Sequence, residues 1–441
     1  MAEGPGGRSF AFDGHGHLVL DTFLAEVRGV AAELPDAACA INLCEDRYRF
    51  LVAFCAAAVR GQTTLLPSSR TPAAIDEVRR QSPDSYCIAD VRLSPAPPRL
   101  HALPERLPKR EGPTPEVDPD AIALVAYTSG STGTPKANPK TWQSLRISTA
   151  QNVAALRHLW PTEEASPAAP PAVLPIVATV PPQHMYGMEM SVLLPLLAPA
   201  AVHGARPFFP EDVARAVRDA DAPPLLVTTP VHLRAVLESG IALPPLSGIV
   251  TATAPLPQAL AAAAEQRFGC EVRELFGATE ICIVAHRRTA RDHEWSAYPG
   301  VELQPQPDGT LVRAPHLPAP VALADLLELR PERRFVLRGR QSDLLEIAGK
   351  RASLGDLTRR LLAVPGVLDA VVLQLDPCEI TGVRRIAALA VAPGLEEATI
   401  LDALRQAIDP VFLPRKLRIV DALPRNDTGK LPREALLRLL G

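Results

Sequence analysis

The feature that most constrains the fold is an apolar segment that leads directly into a loop rich in glycine and hydroxyl groups. The apolar segment, residues 121–127, is short and shows no alternation of polar and apolar side chains, so we predict a buried β-strand there. The glycines of the loop let the backbone approach a ligand, and its hydroxyl groups and lysine bind anionic oxygen atoms. The pattern predicts a phosphate-binding loop made by Thr128, Ser129, Gly130, Ser131, Thr132, Gly133 and Lys136.

The spacing within this loop excludes two other well-known loops. In a Walker A loop, Gly-Lys is followed by Ser or Thr, whereas here Pro135 precedes the lysine and Ala137 follows it. A nucleophile elbow requires Gly-x-Ser-x-Gly, and residues 130–133 have a different spacing. On composition alone, a flexible polar loop between a strand and a helix remains an equally good interpretation.

The length and the order of predicted elements indicate the fold class. A chain of 441 residues exceeds one ordinary core, so two or three domains are expected. Helices and strands alternate up to about residue 275, which predicts a large α/β domain of several layers with mostly parallel sheets, and ligands at the carboxyl ends of the strands. Beyond about residue 340, the pattern changes to that of a small α+β domain. Residues 1–40 carry little information.

Periodicity and breaker residues place the individual elements. The helix over 46–60 is expected to bury one face, formed by Tyr48, Leu51, Val52, Cys55 and Val59. The other predicted helices are 72–80, 142–159, 231–238, 258–268, 354–364, 400–408 and 433–440, and the predicted strands are 63–66, 86–89, 121–127, 173–180, 225–229, 248–251, 270–275, 367–375 and 386–392.

Charge and cysteine usage exclude several classes of protein. The net charge is −3 and the basic residues are dispersed, so neither nucleic acid nor an anionic membrane is expected as a partner. No apolar run reaches the length of a membrane span, and the N-terminus lacks the apolar region of a secretory signal. The seven cysteines form no Cys-x-x-Cys pair, so neither a disulfide framework nor a zinc site is expected. We therefore expect a cytoplasmic protein.

The loop sequence Thr-Ser-Gly-Ser-Thr-Gly-x-Pro-Lys resembles the signature loop of the adenylate-forming, or AMP-binding, enzymes. This superfamily includes acyl- and aryl-CoA synthetases, the adenylation domains of peptide synthetases, and luciferases. Three further motifs follow in the family's order, so the resemblance extends from about Cys44 to the C-terminus. It implies a large domain over residues 1–340 that binds ATP and the carboxylate, and a small mobile α+β domain over residues 341–441.

The segment 182–187, Pro-Gln-His-Met-Tyr-Gly, resembles the histidine-containing loop at the family's carboxylate pocket. The resemblance implies that His184 lines the acyl or aryl pocket, although a structural histidine remains an alternative. Amino-acid-activating relatives carry an aspartate here, whereas residues 184–187 contain no carboxylate and Glu189 lies too far along the chain. An amino-acid substrate is therefore not expected, and the predicted pocket is formed by His184, Met185, Tyr186, Leu275, Gly277 and Ile283.

The segment 274–280, Glu-Leu-Phe-Gly-Ala-Thr-Glu, resembles the family's Tyr-Gly-x-Thr-Glu motif. The resemblance implies that Phe276 stacks on adenine and that Gly277 lets the backbone pass close to the carboxylate. It also implies that Thr279 bonds the α-phosphate and that Glu280 is a Mg²⁺ ligand. The alternative is an ordinary glycine turn with a surface glutamate.

Shorter matches imply further nucleotide contacts. The turn that contains Thr253, Ala254 and Pro255 resembles the family's adenine-bracketing turn, although a plain strand-to-helix turn is the alternative. Asp325 stands where the family's Thr-Gly-Asp holds the ribose hydroxyls, with a solvated aspartate at the start of a helix as its alternative. Arg340 matches a second ribose contact, in the segment 339–343 that the resemblance identifies as the hinge.

Two matches lie in the predicted small domain. The segment 424–430, Pro-Arg-Asn-Asp-Thr-Gly-Lys, implies that Lys430 bridges the substrate carboxylate and the α-phosphate. Gly349 matches the glycine by which the pantetheine arm passes. Ser342 and Glu346 replace residues that are usual in the hinge region, which leaves the control of the hinge open. The implied catalytic residues are therefore Lys430, His184, Thr279 and Glu280.

The resemblance implies a two-step reaction with ATP, Mg²⁺ and a small carboxylic acid. An acyl- or aryl-AMP forms first, and the thiol of phosphopantetheine, on an acyl carrier protein or CoA, then displaces AMP. The segments 43–50 and 348–354 are similar to ligases of bacterial aryl-polyene and xanthomonadin-type pigment pathways, which implies that an aromatic acid such as a hydroxybenzoate is loaded onto an acyl carrier protein.

Two other functions remain open at this point. One is a CoA synthetase for an aliphatic acid. The other is a nucleotide-binding scaffold or sensor without catalysis, although the presence of Lys136, Glu280 and Lys430 argues against it.

Overall fold

The structure, a computed structural model, describes residues 1–128, 135–160, 172–340, 344–347, 350–375, 385–426 and 431–441. The strands are β1 Ser9–Asp13, β2 Gly16–Val19, β3 Cys39–Asn42, β4 Thr63–Leu66, β5 Ser85–Ala89, β6 Leu100–Ala102, β7 Ile122–Thr128, β8 Lys136–Thr141, β9 Leu174–Ala178, β10 Ala200–His203, β11 Leu225–Thr228, β12 Gly248–Thr251, β13 Val272–Ala278, β14 Cys282–Arg287, β15 Trp295–Ala297, β16 Glu302–Gln306, β17 Gly309–Arg313, β18 Val321–Leu323, β19 Asp325–Arg330, β20 Arg334–Arg340, β21 Leu344–Ile347, β22 Lys350–Ser353, β23 Asp369–Gln374, β24 Ile386–Val391 and β25 Lys416–Ile419.

The α-helices are α1 Leu20–Glu33, α2 Arg47–Val59, α3 Pro72–Gln81, α4 Trp142–Leu156, α5 Met185–Met188, α6 Leu194–Leu197, α7 Pro210–Arg218, α8 Pro230–Glu238, α9 Gln258–Phe268, α10 Leu354–Leu362, α11 Glu397–Ala407 and α12 Arg433–Leu440. A π-helical turn, Glu189–Leu193, joins α5 to α6. Each helix and strand predicted from the sequence is present, with its ends shifted by a few residues.

Two sheets organise the large domain. Among the described residues, eleven strands form one sheet in the order β19-β20-β15-β14-β13-β12-β11-β9-β10-β1-β2, and six form another in the order β6-β5-β3-β4-β7-β8. The run from β13 to β1 in the first sheet is parallel, as is the run from β6 to β7 in the second. Together with the small C-terminal domain, this arrangement confirms the predicted α/β class.

The helix α2 departs from its prediction. A single buried face was expected, but all residues from Phe50 to Ala57 are buried, whereas Val59, assigned to that face, is 36% exposed. The reason is tertiary, because α2 contacts α1, β3 and β4 of the six-stranded sheet, and β10 of the eleven-stranded sheet. A helix that lies between two sheets is apolar all round.

The N-terminal segment and the phosphate-binding loop also differ from expectation. Residues 1–40 form two strands and a helix, and β1 pairs in parallel with β10 in the large sheet. The loop after β7 does not lead to a helix, as the alternative interpretation assumed, because β8 pairs antiparallel with β7 before α4 begins.

A separate core organises the small domain. Strands β23, β24 and β25 form one sheet, and the apolar faces of α10 and α11 pack against it through Leu357, Leu361, Ile400 and Leu404. The boundary at residue 340 remains a prediction. In the described part of the chain, every helix is too short or too polar to cross a membrane.

A buried arginine ties α2 to the strand that leads into the predicted acid pocket. Arg47 is fully buried. Its guanidinium donates hydrogen bonds to the carbonyl oxygens of Ala178, at 2.8 Å, and Val180, at 2.9 Å, and to the hydroxyl of Ser191 in the π-helical turn. Burial lowers the pKa of Arg47 to about 9, so the guanidinium is still charged at neutral pH.

Replacing Arg47 with methionine is expected to destabilise the protein. The variant Arg47→Met leaves two buried carbonyl groups without their donors, and each such loss costs about 1–3 kcal/mol. We therefore expect a clear decrease in the midpoint of thermal unfolding, measured by calorimetry. The matched control is Arg92→Met, because Arg92 is exposed. Equal midpoints for the two variants would contradict this role of Arg47.

Candidate functional site

One cavity of about 1040 Å³ contains most of the residues predicted for the site. It lies at the carboxyl ends of β7, β12 and β13, which is where a parallel sheet places its ligand-binding loops. The predicted residues that line it are Thr128, Lys136, His184, Met185, Tyr186, Thr253, Ala254, Pro255, Leu275, Phe276, Gly277, Thr279, Glu280, Ile283 and Asp325.

Other predicted residues lie outside the part of the chain that the structure describes. These are Ser129, Gly130, Ser131, Thr132 and Gly133 of the loop, Gly349 and Lys430 of the small domain, and the side chain of Arg340. Their roles remain predictions from the sequence.

The predicted phosphate-binding residues meet at one end of the cavity. Thr128 is the last residue of β7 and lies opposite Lys136, the first residue of β8, so both ends of the loop reach the cavity. Thr279 and Glu280 form the turn between β13 and β14 and line the same cavity. A cation and a hydroxyl group thus face the space where anionic oxygens would be bound.

The surroundings of Glu280 fit a Mg²⁺ ligand. The Glu280 side chain is half-buried, and no described residue forms a hydrogen bond or an ion pair with its carboxylate. The described residues contain no group of three or more His, Cys, Asp or Glu side chains that could bind a metal. Mg²⁺ usually takes one or two protein carboxylates and completes its shell with water and phosphate oxygens, so a single carboxylate beside phosphates is suitable.

An aromatic cluster supports the predicted adenine contact. The ring of Phe276 lines the cavity and packs against Trp295, at 5.5 Å between centroids, and against Phe335, at 5.6 Å. The guanidinium of Arg287 lies 4.4 Å from the centroid of Trp295 and donates a hydrogen bond to the buried Glu274. These neighbours hold Phe276 in place, while part of its ring remains accessible from the cavity.

The turn after β12 has a backbone that is unusual for its residues. Thr253 has a φ of +79°, in the left-handed region that glycine tolerates and β-branched residues avoid. This chain therefore makes a glycine-like turn with a threonine. Because Thr253, Ala254 and Pro255 line the cavity, the turn is part of the site wall rather than a remote connection.

Asp325 begins a strand, so the alternative of a solvated aspartate at the start of a helix is wrong. It is 8% exposed, lines the cavity, and accepts a hydrogen bond from Thr310 at its backbone carbonyl, at 2.7 Å. In the antiparallel pair β19–β20, Asp325 lies directly opposite Arg340. The two residues predicted to bind ribose are therefore cross-strand neighbours.

The predicted acid pocket is apolar and closely packed. His184 precedes α5, and the buried side chains of Met185 and Tyr186 follow it along the wall. The Tyr186 hydroxyl donates a hydrogen bond to the carbonyl of Val250, at 2.9 Å, and burial raises the pKa of Tyr186. Gly187 allows a close backbone approach, because a Cβ there would lie 2.0 Å from the carbonyl oxygen of Pro181.

Glu189 also reaches the cavity, which the sequence analysis did not expect. It is 1% exposed and accepts hydrogen bonds from Ser148, Asn152 and the backbone N–H of Ile283, at 2.9, 3.1 and 3.2 Å. Burial raises the pKa of Glu189, although these hydrogen bonds oppose the shift. The helix that begins after His184 continues through Glu189, so helical spacing was the signal that could have identified it.

Cys282 lines the cavity but is unsuited to nucleophilic catalysis. Burial raises the pKa of its thiol to about 12, so the reactive thiolate does not form at neutral pH. Arg287, Trp295 and Arg359 also line the cavity and were not predicted, because they lie outside the recognised motifs. Arg359 comes from α10, so the small domain contributes to the wall.

Gly277 is required by the close packing of β13 against β14. A Cβ at this position would lie 2.3 Å from the carbonyl oxygen of Cys282 and 2.8 Å from the Cα of Ile283. Only glycine therefore lets β13 and β14 pair at the bulge between Phe276 and Gly277.

The variant Gly277→Ala is expected to weaken nucleotide binding. Overpacking of this kind costs about 1–3 kcal/mol, and it pushes β13, which carries Phe276 and leads to Thr279, away from β14. We expect the affinity for ATP, measured by calorimetry, to fall about tenfold. The control is Gly7→Ala, because a Cβ at Gly7 meets no neighbouring atom within 4 Å. A folded Gly277→Ala variant with unchanged ATP affinity would show that this close approach does not shape the site.

Comparison with known proteins identifies a family for both domains. Residues 33–310 match the family model described as AMP-binding enzyme, and residues 359–430 match the model described as AMP-binding enzyme C-terminal domain. A 4-coumarate–CoA ligase from Rhodobacter capsulatus is 32% identical over 320 residues, which cover 70% of this chain and 75% of that protein.

Two further relatives extend the likeness over more of the chain. A sulfoacetate–CoA ligase from Cupriavidus necator is 26% identical over 409 residues, which cover 83% of this chain and 76% of that protein. The structure of ATP-bound MatB from Rhodopseudomonas palustris superimposes with a TM-score of 0.82 and 18% identity, and covers 99% of this chain and 96% of that one. The likeness to MatB, at 18% identity, is one of fold.

Proposed function

We propose that this chain, which belongs to the AMP-binding enzyme family, activates an aromatic carboxylic acid and transfers it to the phosphopantetheine thiol of an acyl carrier protein. The chain is an AMP-forming acid–thiol ligase that uses ATP and a carboxylic acid. One observation supports the activation of an aromatic acid: a single cavity is lined by the residues predicted to bind phosphate, by the ring of Phe276 predicted to stack on adenine, and by an apolar pocket.

The lining of the apolar pocket supports an aromatic acid. Met185, Tyr186, Leu275 and Ile283 present apolar surface that complements a flat ring. Glu189 is the carboxylate of this region, and its oxygens already accept three hydrogen bonds, so it is poorly placed to pair with the α-amino group of an amino acid. The relative named 4-coumarate–CoA ligase acts on an aromatic acid and adds weight to this choice.

The first chemical step is in-line displacement at phosphorus. A carboxylate oxygen attacks the α-phosphorus of ATP, the bond from that phosphorus to the departing pyrophosphate breaks, and acyl-AMP forms. Lys136 and Thr279 stabilise the phosphate charge, and Lys430, a residue outside the described part of the chain, stabilises charge between the carboxylate and the α-phosphate. Mg²⁺ held by Glu280 would neutralise charge on the phosphates.

The second step transfers the acyl group. The thiol sulfur attacks the acyl carbon, the bond to AMP breaks, and the thiol proton is released to solvent. The small domain supplies Lys430 for the first step and the segment at Gly349 for the second, so it must turn between them. The hinge is proposed at residues 339–343, a segment that includes Arg340 of the Asp325–Arg340 strand pair.

A CoA thioester is the second candidate product. The relatives named as CoA ligases favour it. CoA carries the same phosphopantetheine thiol as a carrier protein, so either acceptor would reach the acyl-AMP by the same arm.

A substrate screen tests the proposal. Pyrophosphate release is measured with benzoate, 4-hydroxybenzoate and 4-coumarate, and with acetate and hexanoate as aliphatic controls. We expect kcat/KM to be higher for the aromatic acids by about tenfold or more, because an apolar pocket rejects a poorly filling acid by a modest factor. Mass spectrometry then shows whether a holo-carrier protein or CoA has gained the acyl group, which identifies the acceptor. A preference for aliphatic acids would overturn the aromatic assignment, and exclusive CoA thioester formation would overturn the carrier assignment.

Removal of Lys430 should separate the two steps. Lys430→Ala is expected to abolish acid-dependent pyrophosphate release but to retain thioester formation from supplied acyl-AMP, because the lysine acts on charge that develops only in the first step. The matched control is Lys416→Ala, an exposed lysine of the same domain. Adenylation that survives in Lys430→Ala would remove this residue from the mechanism.

A further inference from the structure

The turn that carries Thr279 and Glu280 is tight and strained. It is closed by a hydrogen bond from the N–H of Ile281 to the carbonyl of Ala278, at 3.1 Å. The next residue, Cys282, is 1% exposed and has a φ of +59°, a conformation that residues with a side chain rarely adopt. Such backbone persists only where the surrounding structure holds it.

Two buried side chains bind the backbone of the residues that follow Glu280. The imidazole Nε2 of His316, 2% exposed, lies 2.7 Å from the carbonyl oxygen of Ile281. The carboxylate of Glu189 accepts a hydrogen bond from the N–H of Ile283, at 3.2 Å. These contacts come from different parts of the chain, so tertiary structure rather than the turn sequence sets the backbone geometry.

A third buried group binds the tip of the turn. Lys140, in β8, is 5% exposed, and its ammonium donates a hydrogen bond to the carbonyl oxygen of Glu280, at 2.6 Å. A buried ammonium is costly unless it is paired and hydrogen-bonded. Burial raises the pKa of Glu189, and the charge of Lys140 is one of the influences that oppose this rise.

Lys140 contacts the backbone of the turn and not the space of the cavity. It is absent from the described residues that line the cavity, whereas Glu280 is among them. Its position in sequence, four residues after Lys136, is also outside the phosphate-binding motif. The hydrogen bond to Glu280 is therefore the direct contact that links Lys140 to the lining of the cavity.

We propose that Lys140 is a positioning residue that holds the peptide of Glu280 so that the Glu280 carboxylate is aimed at Mg²⁺-bound ATP. The inference rests on the proposed role of Glu280 as the metal ligand. The bond to the carbonyl oxygen fixes the plane of the Glu280 peptide and hence the direction of its side chain. Without the ammonium, the carbonyl is left unpaired and the strained turn relaxes.

The test measures ATP binding, which needs neither the acid nor the thiol. Calorimetry gives the ATP affinity with and without Mg²⁺, and the ratio of the two is the Mg²⁺ enhancement. We expect Lys140→Met to reduce this enhancement about tenfold, in keeping with the loss of a charge-assisted hydrogen bond. Lys140→Arg, which keeps the charge and the donors, should restore most of it.

A matched control separates positioning from a general loss of stability. Lys416 also donates a hydrogen bond to a main-chain oxygen, that of the last residue, Gly441, at 3.0 Å, but it is exposed on the small domain, so Lys416→Met should keep the full enhancement. Thermal unfolding of each variant is recorded in parallel. If Lys140→Met does not fold, Lys140→Gln, which keeps a neutral hydrogen-bond donor, is measured instead. The same reduction of the Mg²⁺ enhancement is then expected.

A double variant shows whether Lys140 acts through Glu280. Glu280→Gln alone should lose the enhancement, and adding Lys140→Met to it should cause no further loss. A folded Lys140→Met variant with undiminished enhancement, or additive losses in the double variant, would overturn the inference while leaving the proposed function intact. Full enhancement in Glu280→Gln would instead overturn the metal ligand itself, and the inference with it.

Discussion

The apolar core shared by the two large sheets is the constraint on which the site depends. Helix α2 lies within this core and contacts both sheets, so it fixes their separation. The carboxyl ends of β7 from one sheet, and of β12 and β13 from the other, therefore converge on one cavity. Residues that are more than a hundred positions apart, such as Thr128 and Thr279, face the same space because this core brings their strands together.

The polar groups around the cavity fall into two sets with different physical tasks. Lys136 and Glu280 are accessible from the cavity and can meet a charged ligand. Lys140, Glu189 and His316 are buried, and each forms a hydrogen bond with the backbone of residues 280–283. A buried charge is tolerated only when it is compensated, so the second set can support a strained turn but has little capacity left for a ligand.

Two positions in the same wall have a backbone conformation that is unusual for their residues. Thr253 and Cys282 both adopt positive φ angles, and both line the cavity. Gly277 and Gly187 allow close backbone approaches beside them. Thr253 follows β12, Gly277 lies within β13 and Cys282 begins β14, so these positions are held by strands of the large sheet. The aromatic cluster of Phe276, Trp295 and Phe335 adds a firm surface next to the strained turns.

The sequence by itself determined the features whose signals are local. The strand over 121–127, the loop composition after it and the helix at 433–440 were readable because neighbouring residues carry their pattern. Most of the predicted site residues could be assigned because their motifs are short and ordered along the chain. Only the tertiary structure decided that α2 is buried all round, that Asp325 begins a strand opposite Arg340, and that Glu189 and Lys140 meet the turn at Glu280. These outcomes depend on contacts between distant segments, and no local pattern specifies which distant segment a buried side chain will meet.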